Sequence, residues 1–293
     1  MSTLKKYLFV VNPIAGGVDK TEMVAAVDAF AAGLNIVIIT YETTGEDDES
    51  RIKNLYAEHR PERIIVAGGD GTIKLVAEAL EQKNVVFGII PAGSANGLSV
   101  DLNFPDALDE VLAIAFHNDY MELDMVSINN RKSLHLSDIG LNAELIKNYE
   151  NSRIRGKIGY ALQALSTLTD DEVSFHVTVE ANGEVVEAET KMVVIANSQK
   201  YGTGVTINPH GKMDDGKFEI VVIKSLTLGV FGKIISGNMP LDTGDVEIIS
   251  ADRATITTDI PVHFQVDGEY YGEESRLEVK ILPKQMKLAI PNP

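Results

Sequence analysis

The strongest chemical signal in this chain is Gly68-Gly69-Asp70-Gly71-Thr72. The apolar run Ile64-Ile65-Val66-Ala67 feeds into it, and Ile73, Val76, Ala77 and Leu80 leave it at helical spacing. A buried strand therefore ends in three glycines around one carboxylate, and a helix begins. The carboxyl ends of strands are where open α/β sheets bind ligands. Glycine has no Cβ, so the backbone can approach a phosphate closely. The N–H groups at a helix start favour an anion. Asp70 adds one negative charge, which suits a phosphate-bound Mg²⁺ or a ribose hydroxyl. The competing explanation is a glycine-rich turn that only lets the helix pack.

Other segments have chemistry of the same kind. Asn12-Pro13-Ile14-Ala15-Gly16-Gly17 follows a first apolar run and offers a phosphate or base contact, or else an ordinary strand-to-helix turn. Thr40 ends a second run, and the loop Thr43-Thr44-Gly45 after it is also placed to touch a nucleotide. In Pro91-Ala92-Gly93-Ser94-Ala95-Asn96-Gly97-Leu98, small residues allow close approach, while Ser94 and Asn96 offer hydrogen bonds. A polar helix-capping turn is the alternative there. Asp267-Gly268-Glu269 sets two carboxylates one glycine apart, pointing the same way from an extended chain. One is suited to orient or activate a substrate hydroxyl while the other tunes its proton affinity. Acidic glycine turns are also common without catalysis. No Gly-x-x-x-x-Gly-Lys-Ser/Thr loop and no His-Glu-x-x-His site occurs, and the six histidines are scattered, so each reads as structural or exposed.

The elements that must position these loops fall into two patterns. Strands at 7–11, 36–40, 63–67 and 85–90 alternate with helices at 20–32, 48–59, 72–82 and 105–117. This predicts an α/β domain, a mostly parallel sheet with helices on both faces, over 1–119. Its strands are continuous apolar runs, as burial on both faces requires. Beyond residue 120 alternating strands dominate, at 173–180, 185–196, 218–223, 254–258, 263–266 and 277–281, with Asn182-Gly183 as a hairpin signal. Helical stretches interrupt near 156–168 and 226–236. The expectation for 120–283 is a second domain, an antiparallel β-sandwich or open barrel. No linker, internal repeat or low-complexity segment separates the two.

Composition excludes several classes. A length of 293 residues suits about two domains. Net charge is −17, from 26 basic and 43 acidic residues, which argues against nucleic-acid binding. It also argues against non-specific adsorption to anionic membranes. With no cysteine, disulfides and thiolate zinc sites are excluded. No apolar run approaches the ~18 residues of a transmembrane helix. The apolar segment at 7–11 ends at Asn12-Pro13, shorter than the ~7–15 residues of a signal-peptide core, and reads as the first strand of a cytoplasmic enzyme.

Gly68-Gly69-Asp70-Gly71-Thr72 resembles the signature of the diacylglycerol kinase catalytic-domain family, which includes bacterial lipid kinases and sphingosine kinases; NAD kinases and 6-phosphofructokinases share the turn more distantly. Asn12-Pro13 with Gly16, Asp214-Asp215-Gly216, and Val266-Asp267-Gly268-Glu269 also match that family, so the resemblance covers nearly the whole chain. It implies an ATP-dependent lipid kinase with the active site between two domains, and a return of 284–293 to the first. ATP is implied at Asn12, Pro13, Ala15, Gly16, Thr40, the Gly68–Thr72 motif, Gly93, Ser94 and Asn96, with Asp70 positioning Mg²⁺. Asp267 or Glu269 is implied as the base for the acceptor hydroxyl. A structural Mg²⁺ is implied on Asp215 and the carbonyls of Lys212 and Lys217, against a merely solubilising acidic turn. A lipid head group is implied at Glu144, with Asp138 as its rival. The basic residues Lys147, Arg153, Arg155 and Lys157 read first as a solvated helix end. Most bacterial members have Gly-Thr-x-Asn-Asp where this chain has Gly93-Ser94-Ala95-Asn96-Gly97, closer to the sphingosine and ceramide kinase form, which puts diacylglycerol itself in question. The expected setting is cytoplasmic, with the lipid met at a membrane surface and a homodimer left open. The rival activities are NAD kinase and a lipid- or nucleotide-binding regulator without catalysis.

Overall fold

The computed structural model describes residues 4–94, 96–141, 143, 174–201, 204–225, 233–234 and 244–292. The chain divides into two compact units, Met1–Leu123 with Lys284–Pro293, and Asp124–Pro283.

In the first unit, β1 (Lys6–Val11), α1 (Thr21–Gly33), β2 (Val37–Glu42), α2 (Asp48–His59), β3 (Arg63–Gly68), α3 (Asp70–Ala79), β4 (Val86–Pro91), α4 (Gly97–Asp101) and α5 (Leu108–His117) follow in order. The strands run parallel in the order β4-β3-β1-β2. From Tyr7 and Ile64 onward, β1 and β3 are buried without alternation, because helices cover both faces. Phe9, Val11, Ile65, Ala67 and Ile90 pack with Val27 and Ala31 of α1 and with Val111, Leu112 and Phe116 of α5. Each large apolar side chain so buried contributes about 1.5–3 kcal/mol. Arg63 anchors the end of α5 by donating to the carbonyls of Ala115 and Asn118 at 3.1 and 2.7 Å. All four strands therefore end at the same edge of the unit, which aligns the loops that follow them.

The second unit is β-sandwich-like. Its strands are β5 (Tyr120–Ile128), β6 (Arg131–Ser133), β7 (Leu136–Gly140), β8 (Phe175–Ala181), β9 (Glu184–Thr190), β10 (Met192–Ala196), β11 (Phe218–Ile223), β12 (Val246–Ala251), β13 (Arg253–Val266) and β14 (Glu269–Ala289). They pair in the order β12-β11-β10-β7-β13-β14, with β8 on β13, β9 on β8 and β6 on β5. In β10 and β11 alternate residues serve different cores. Val193, Ile195, Ile220 and Val222 pack with Phe175, Val177 and Phe264, whereas Val194, Val221 and Ile223 pack with Leu136 and Ile207. The Asn182-Gly183 turn joins β8 to β9 with positive φ at both residues, as its sequence requires. β5 begins and β14 ends within the first unit, where Lys287 and Leu288 lie parallel beside Val86 and Phe87 of β4.

Several boundaries differ from those expected. The single run at 185–196 is two strands, β9 and β10, separated at Lys191. The runs at 254–258 and 263–266 are one strand, β13, whose register slips between Thr257 and Val262, where Pro261 cannot donate to the ladder. β5, β6, β7 and β12 were not expected. The helical stretch at 156–168 lies outside the described residues, as does 226–236 apart from Lys233 and Ile234.

Candidate active site

The loops after β1, β3 and β4 interlock. The Asn12 N–H donates to the Ala67 carbonyl and the Ala92 N–H to the Gly68 carbonyl, both at 2.9 Å, so strand pairing continues one residue into each loop. Asn12 Nδ2 donates to Thr72 Oγ1 at 3.2 Å. A Cβ on Gly93 would lie 2.5 Å from Gly69 Cα, and one on Gly16 would lie 2.7 Å from the Ala92 carbonyl oxygen. Real Cβ contacts do not come that close. Gly16, Gly69 and Gly93 thus serve loop-on-loop packing, where the sequence suggested approach to a phosphate. Gly17 differs, with φ 66° and open space where its Cβ would stand, and Gly71 is exposed in the first turn of α3.

Asp70 is the first residue of α3, so that helix begins two residues earlier than its apolar pattern indicated. Its carboxylate joins two loops: Oδ2 accepts the Gly97 N–H at 2.6 Å and Oδ1 the Leu98 N–H at 3.1 Å, which caps α4. Asn96 has φ 52° and turns back on its own loop, accepting from the Gly93 N–H at 2.7 Å and donating to the Gly93 carbonyl at 3.0 Å. Ser94 and Pro13 are exposed, and Ala15 is half-buried. Lys20, buried at the end of the first loop, donates from Nζ to the carbonyls of Ala15 and Val18 at 2.7 and 2.9 Å. No sequence signal pointed to Lys20.

Thr40 corrects an expectation. β2 continues to Glu42, so Thr40 lies inside the strand, exposed, beside Phe9. The loop beyond is organised by Asp48, another residue the sequence left unmarked. Its carboxylate accepts the Tyr41 hydroxyl at 2.6 Å and the N–H groups of Thr44 and Gly45 at 2.9 and 2.8 Å. Burial raises the Asp48 carboxyl, but these bonds outweigh it and hold the group below its usual value. Burial and the Asp48 bond push the Tyr41 hydroxyl up to about 12.

In the second unit, Asp267-Gly268 is a two-residue hairpin turn. Val266 pairs with Glu269, and φ is 51° and 87° at the two central residues. The two carboxylates therefore do not share the face of an extended strand. Asp267 turns inward: Oδ1 accepts the Ser133 hydroxyl and the His135 N–H, and Oδ2 the Leu134 N–H, all at 2.9 Å. Glu269 is exposed and accepts the Tyr271 hydroxyl at 2.8 Å. The Gly268 N–H donates to Gln265 at 2.7 Å, and Gln265 donates to Asp138 at 2.5 Å. Asp138, fully buried, also accepts the Tyr201 hydroxyl at 3.1 Å. That places it as a bolt inside the sheet rather than at a head group, since a lipid needs an exposed carboxylate.

The Asp214-Asp215 loop is held from beneath by buried Asp124, whose Oδ2 accepts the Gly216 N–H at 2.7 Å. Asp215 is exposed and accepts the Lys217 N–H at 3.1 Å. Lys212 and Lys217 are both exposed. Among the described residues no group of three or more acidic or histidine side chains is gathered for a metal. Glu144 and the cluster Lys147, Arg153, Arg155 and Lys157 lie outside the described residues. A groove of about 760 Å³ between α2 and α3 and one of about 1120 Å³ beside the β8–β9 turn include no residue of the glycine loops or of the Asp267 turn.

A parallel sheet with interlocked glycine loops at its strand ends, followed in the chain by a β-sandwich, defines an α/β-plus-sandwich class. Residues 6–128 match the diacylglycerol kinase catalytic domain, and residues 137–290 match the YegS C-terminal NAD kinase beta sandwich-like domain. The chain belongs to the diacylglycerol kinase catalytic-domain family, in its YegS-like form. It is 28% identical over 252 residues to a Staphylococcus epidermidis protein provisionally named a lipid kinase, covering 81% of this chain and 79% of that one. A Salmonella gallinarum YegS, named provisionally as a lipid kinase, is 26% identical over 247 residues, 78% of each chain. An uncharacterized Synechocystis protein is 29% identical over 240 residues, 78% of this chain but 54% of its own length. Thus the chain spans about half of that relative. A crystal structure of a provisionally named diacylglycerol kinase from Bacillus anthracis superposes with a TM-score of 0.79 at 22% identity, over 99% of both chains, which shows the fold. Among the described residues no helix is long and apolar enough to cross a membrane.

Proposed function

We propose that this protein is an ATP- and Mg²⁺-dependent lipid kinase that transfers the γ-phosphoryl group to a hydroxyl of a diacylglycerol-like or sphingoid lipid. The observation that carries this is the Asp70 carboxylate bridging two glycine loops at the ends of parallel strands. The residues present fit a nucleotide phosphate: Gly17 and Gly71 bring backbone without side chains, and the N-terminal end of the α3 dipole favours an anion. Asn12, Pro13, Ala15, Gly16, the Gly68–Thr72 motif, Gly93, Ser94 and Asn96 shape this platform. Thr40 lies on the adjoining strand. A carboxylate has about four acceptor positions, so Asp70 can hold α4 and meet a cation together. Bound Mg²⁺ neutralises phosphate charge, and the protein then contributes mainly positioning.

The acceptor hydroxyl is oriented by the Asp267-Gly268-Glu269 turn. Asp267 already accepts three hydrogen bonds from its own unit, which favours the exposed Glu269 as the group that meets the hydroxyl. Asp215 with the carbonyls of Lys212 and Lys217 is proposed to hold a second, structural Mg²⁺. Glu144 is proposed to meet the head group, its carboxylate suiting the ammonium of a sphingoid base. Catalysis takes place in the cytoplasm at a membrane surface. Kinase and lipid-kinase names among the relatives support the reading. NAD is the second acceptor to weigh, given the description of the C-terminal domain.

The test is incubation of the purified chain with γ-labelled ATP and, separately, diacylglycerol, a sphingoid base, ceramide, phosphatidylglycerol and NAD. Label in a lipid supports the proposal. Label in NAD alone replaces it with NAD kinase, and label in none of them favours a regulator without catalysis.

A further inference from the structure

Glu269 is exposed and lies just past a two-residue turn, so nothing about its backbone fixes the carboxylate. An exposed glutamate samples several rotamers, and a group that must meet a hydroxyl loses rate when it wanders. Among the described residues one side chain holds it: the Tyr271 hydroxyl donates to Glu269 Oε2 at 2.8 Å. Tyr271 is itself held. The Arg131 guanidinium stands 4.8 Å from its ring centroid, and the Phe264 ring packs at 6.3 Å on a tilt. An extra residue on β14, between Tyr270 opposite Gln265 and Glu273 opposite His263, forms a bulge at Gly272, φ 93°. Bulges of this kind re-aim a neighbouring side chain.

Arg131 and Ser133 lie two residues apart in β6, hence on one face of that three-residue strand. Ser133 donates to Asp267. The same short strand therefore fixes Asp267 directly and Glu269 through Tyr271.

We propose that Tyr271, clamped by Arg131, is the positioning residue that aims Glu269 at the acceptor hydroxyl. This rests on the lipid-kinase reading above. Tyr271 does not touch substrate; it acts through the carboxylate it holds. Burial, then the Glu269 bond and charge, push its hydroxyl up to about 12, so it stays a donor throughout the neutral range.

The experiment is a double-mutant cycle on kcat in the lipid assay with Tyr271→Phe, Glu269→Gln and the pair. Tyr271→Phe keeps the ring under Arg131, and its Tm should equal that of the parent. The expected result is a loss of about tenfold in kcat with KM for ATP unchanged, and less than about twofold further loss in the Glu269→Gln background. Full loss in both backgrounds overturns the proposal, because Tyr271 then acts independently of Glu269. A parent chain that labels no lipid fails the kinase reading instead. The contact is then read without activity, by carbon-13 resonances of the nine tyrosines in full-length protein. Glu269→Gln should shift Tyr271 more than any other tyrosine, and an unmoved Tyr271 overturns the contact.

Discussion

Asp70 Oδ2 accepts the Gly97 N–H at 2.6 Å, across 27 positions of the chain, so the glycine motif and the start of α4 are one mechanical unit. From the charge alone, Asp70→Asn would be expected to alter activity and leave stability unchanged. The geometry predicts both losses. An asparagine presents one acceptor and one N–H₂ where two N–H donors converge. We expect about 1.5–3 kcal/mol less stability in urea unfolding. We also expect at least ~100-fold lower kcat/KM at saturating Mg²⁺, equivalent to about 2.7 kcal/mol. Unchanged stability would remove the clamp, and activity within a few-fold of the parent would remove Asp70 from the site.

The two carboxylates after β13 should separate by experiment. Asp267→Asn breaks a set of three accepted bonds and should lower Tm as well as turnover. Glu269→Gln is on the surface and should lower turnover alone. ATP affinity, read by calorimetric titration, should hold in both, since neither side chain lies in the unit proposed to bind ATP. Strong weakening of ATP binding in both variants would break this division.

Asp48 sets an acid limit on stability. Its folded carboxyl titrates below the usual value, so its contribution is present above the unfolded value near pH 4 and is lost as pH falls through the folded one. The urea midpoint should therefore fall below about pH 4, and Asp48→Asn should flatten that limb while lowering stability at neutral pH. Equal pH slopes in parent and variant would contradict the shift.

The acidic loop makes a separate claim. If Asp215 with the carbonyls of Lys212 and Lys217 holds a cation, Mg²⁺ without nucleotide should raise Tm, because a ligand bound only by the folded chain stabilises it. Asp215→Ala should abolish that rise. The same Mg²⁺ response in both proteins would reduce the loop to a turn closed by the Lys217 N–H.

Much of the fold was legible because its signals are local. Continuous apolar runs such as Ile64-Ile65-Val66-Ala67 mark strands covered on both faces, and Asn182-Gly183 marks its hairpin without tertiary information. β6 and β7 were invisible. One is three residues long, and the other, Leu-Ser-Asp-Ile-Gly, is buried yet half polar, because Ser137 and Asp138 bond within the unit. The site divides the same way. The glycine loops and the acidic turn were found by composition, yet their partners lie far off in sequence: Asn12 and Thr72 are separated by 60 positions, and Ser133 and Asp267 by 134. Asp267-Gly268 carried a hairpin signal as strong as Asn182-Gly183. The turn reverses the chain between the two acids, so the shared face that an extended strand would give them does not exist.

The central claim is transfer of a phosphoryl group from ATP to a lipid hydroxyl. It is tested most directly by counting label carried from γ-labelled ATP into extracted lipid in mixed micelles, for the parent chain, for Asp70→Asn, and for the parent without Mg²⁺. The account predicts Mg²⁺-dependent label in the parent and a loss of at least ~100-fold in Asp70→Asn. Label in no lipid of the panel, or equal label in the parent and Asp70→Asn, would contradict it.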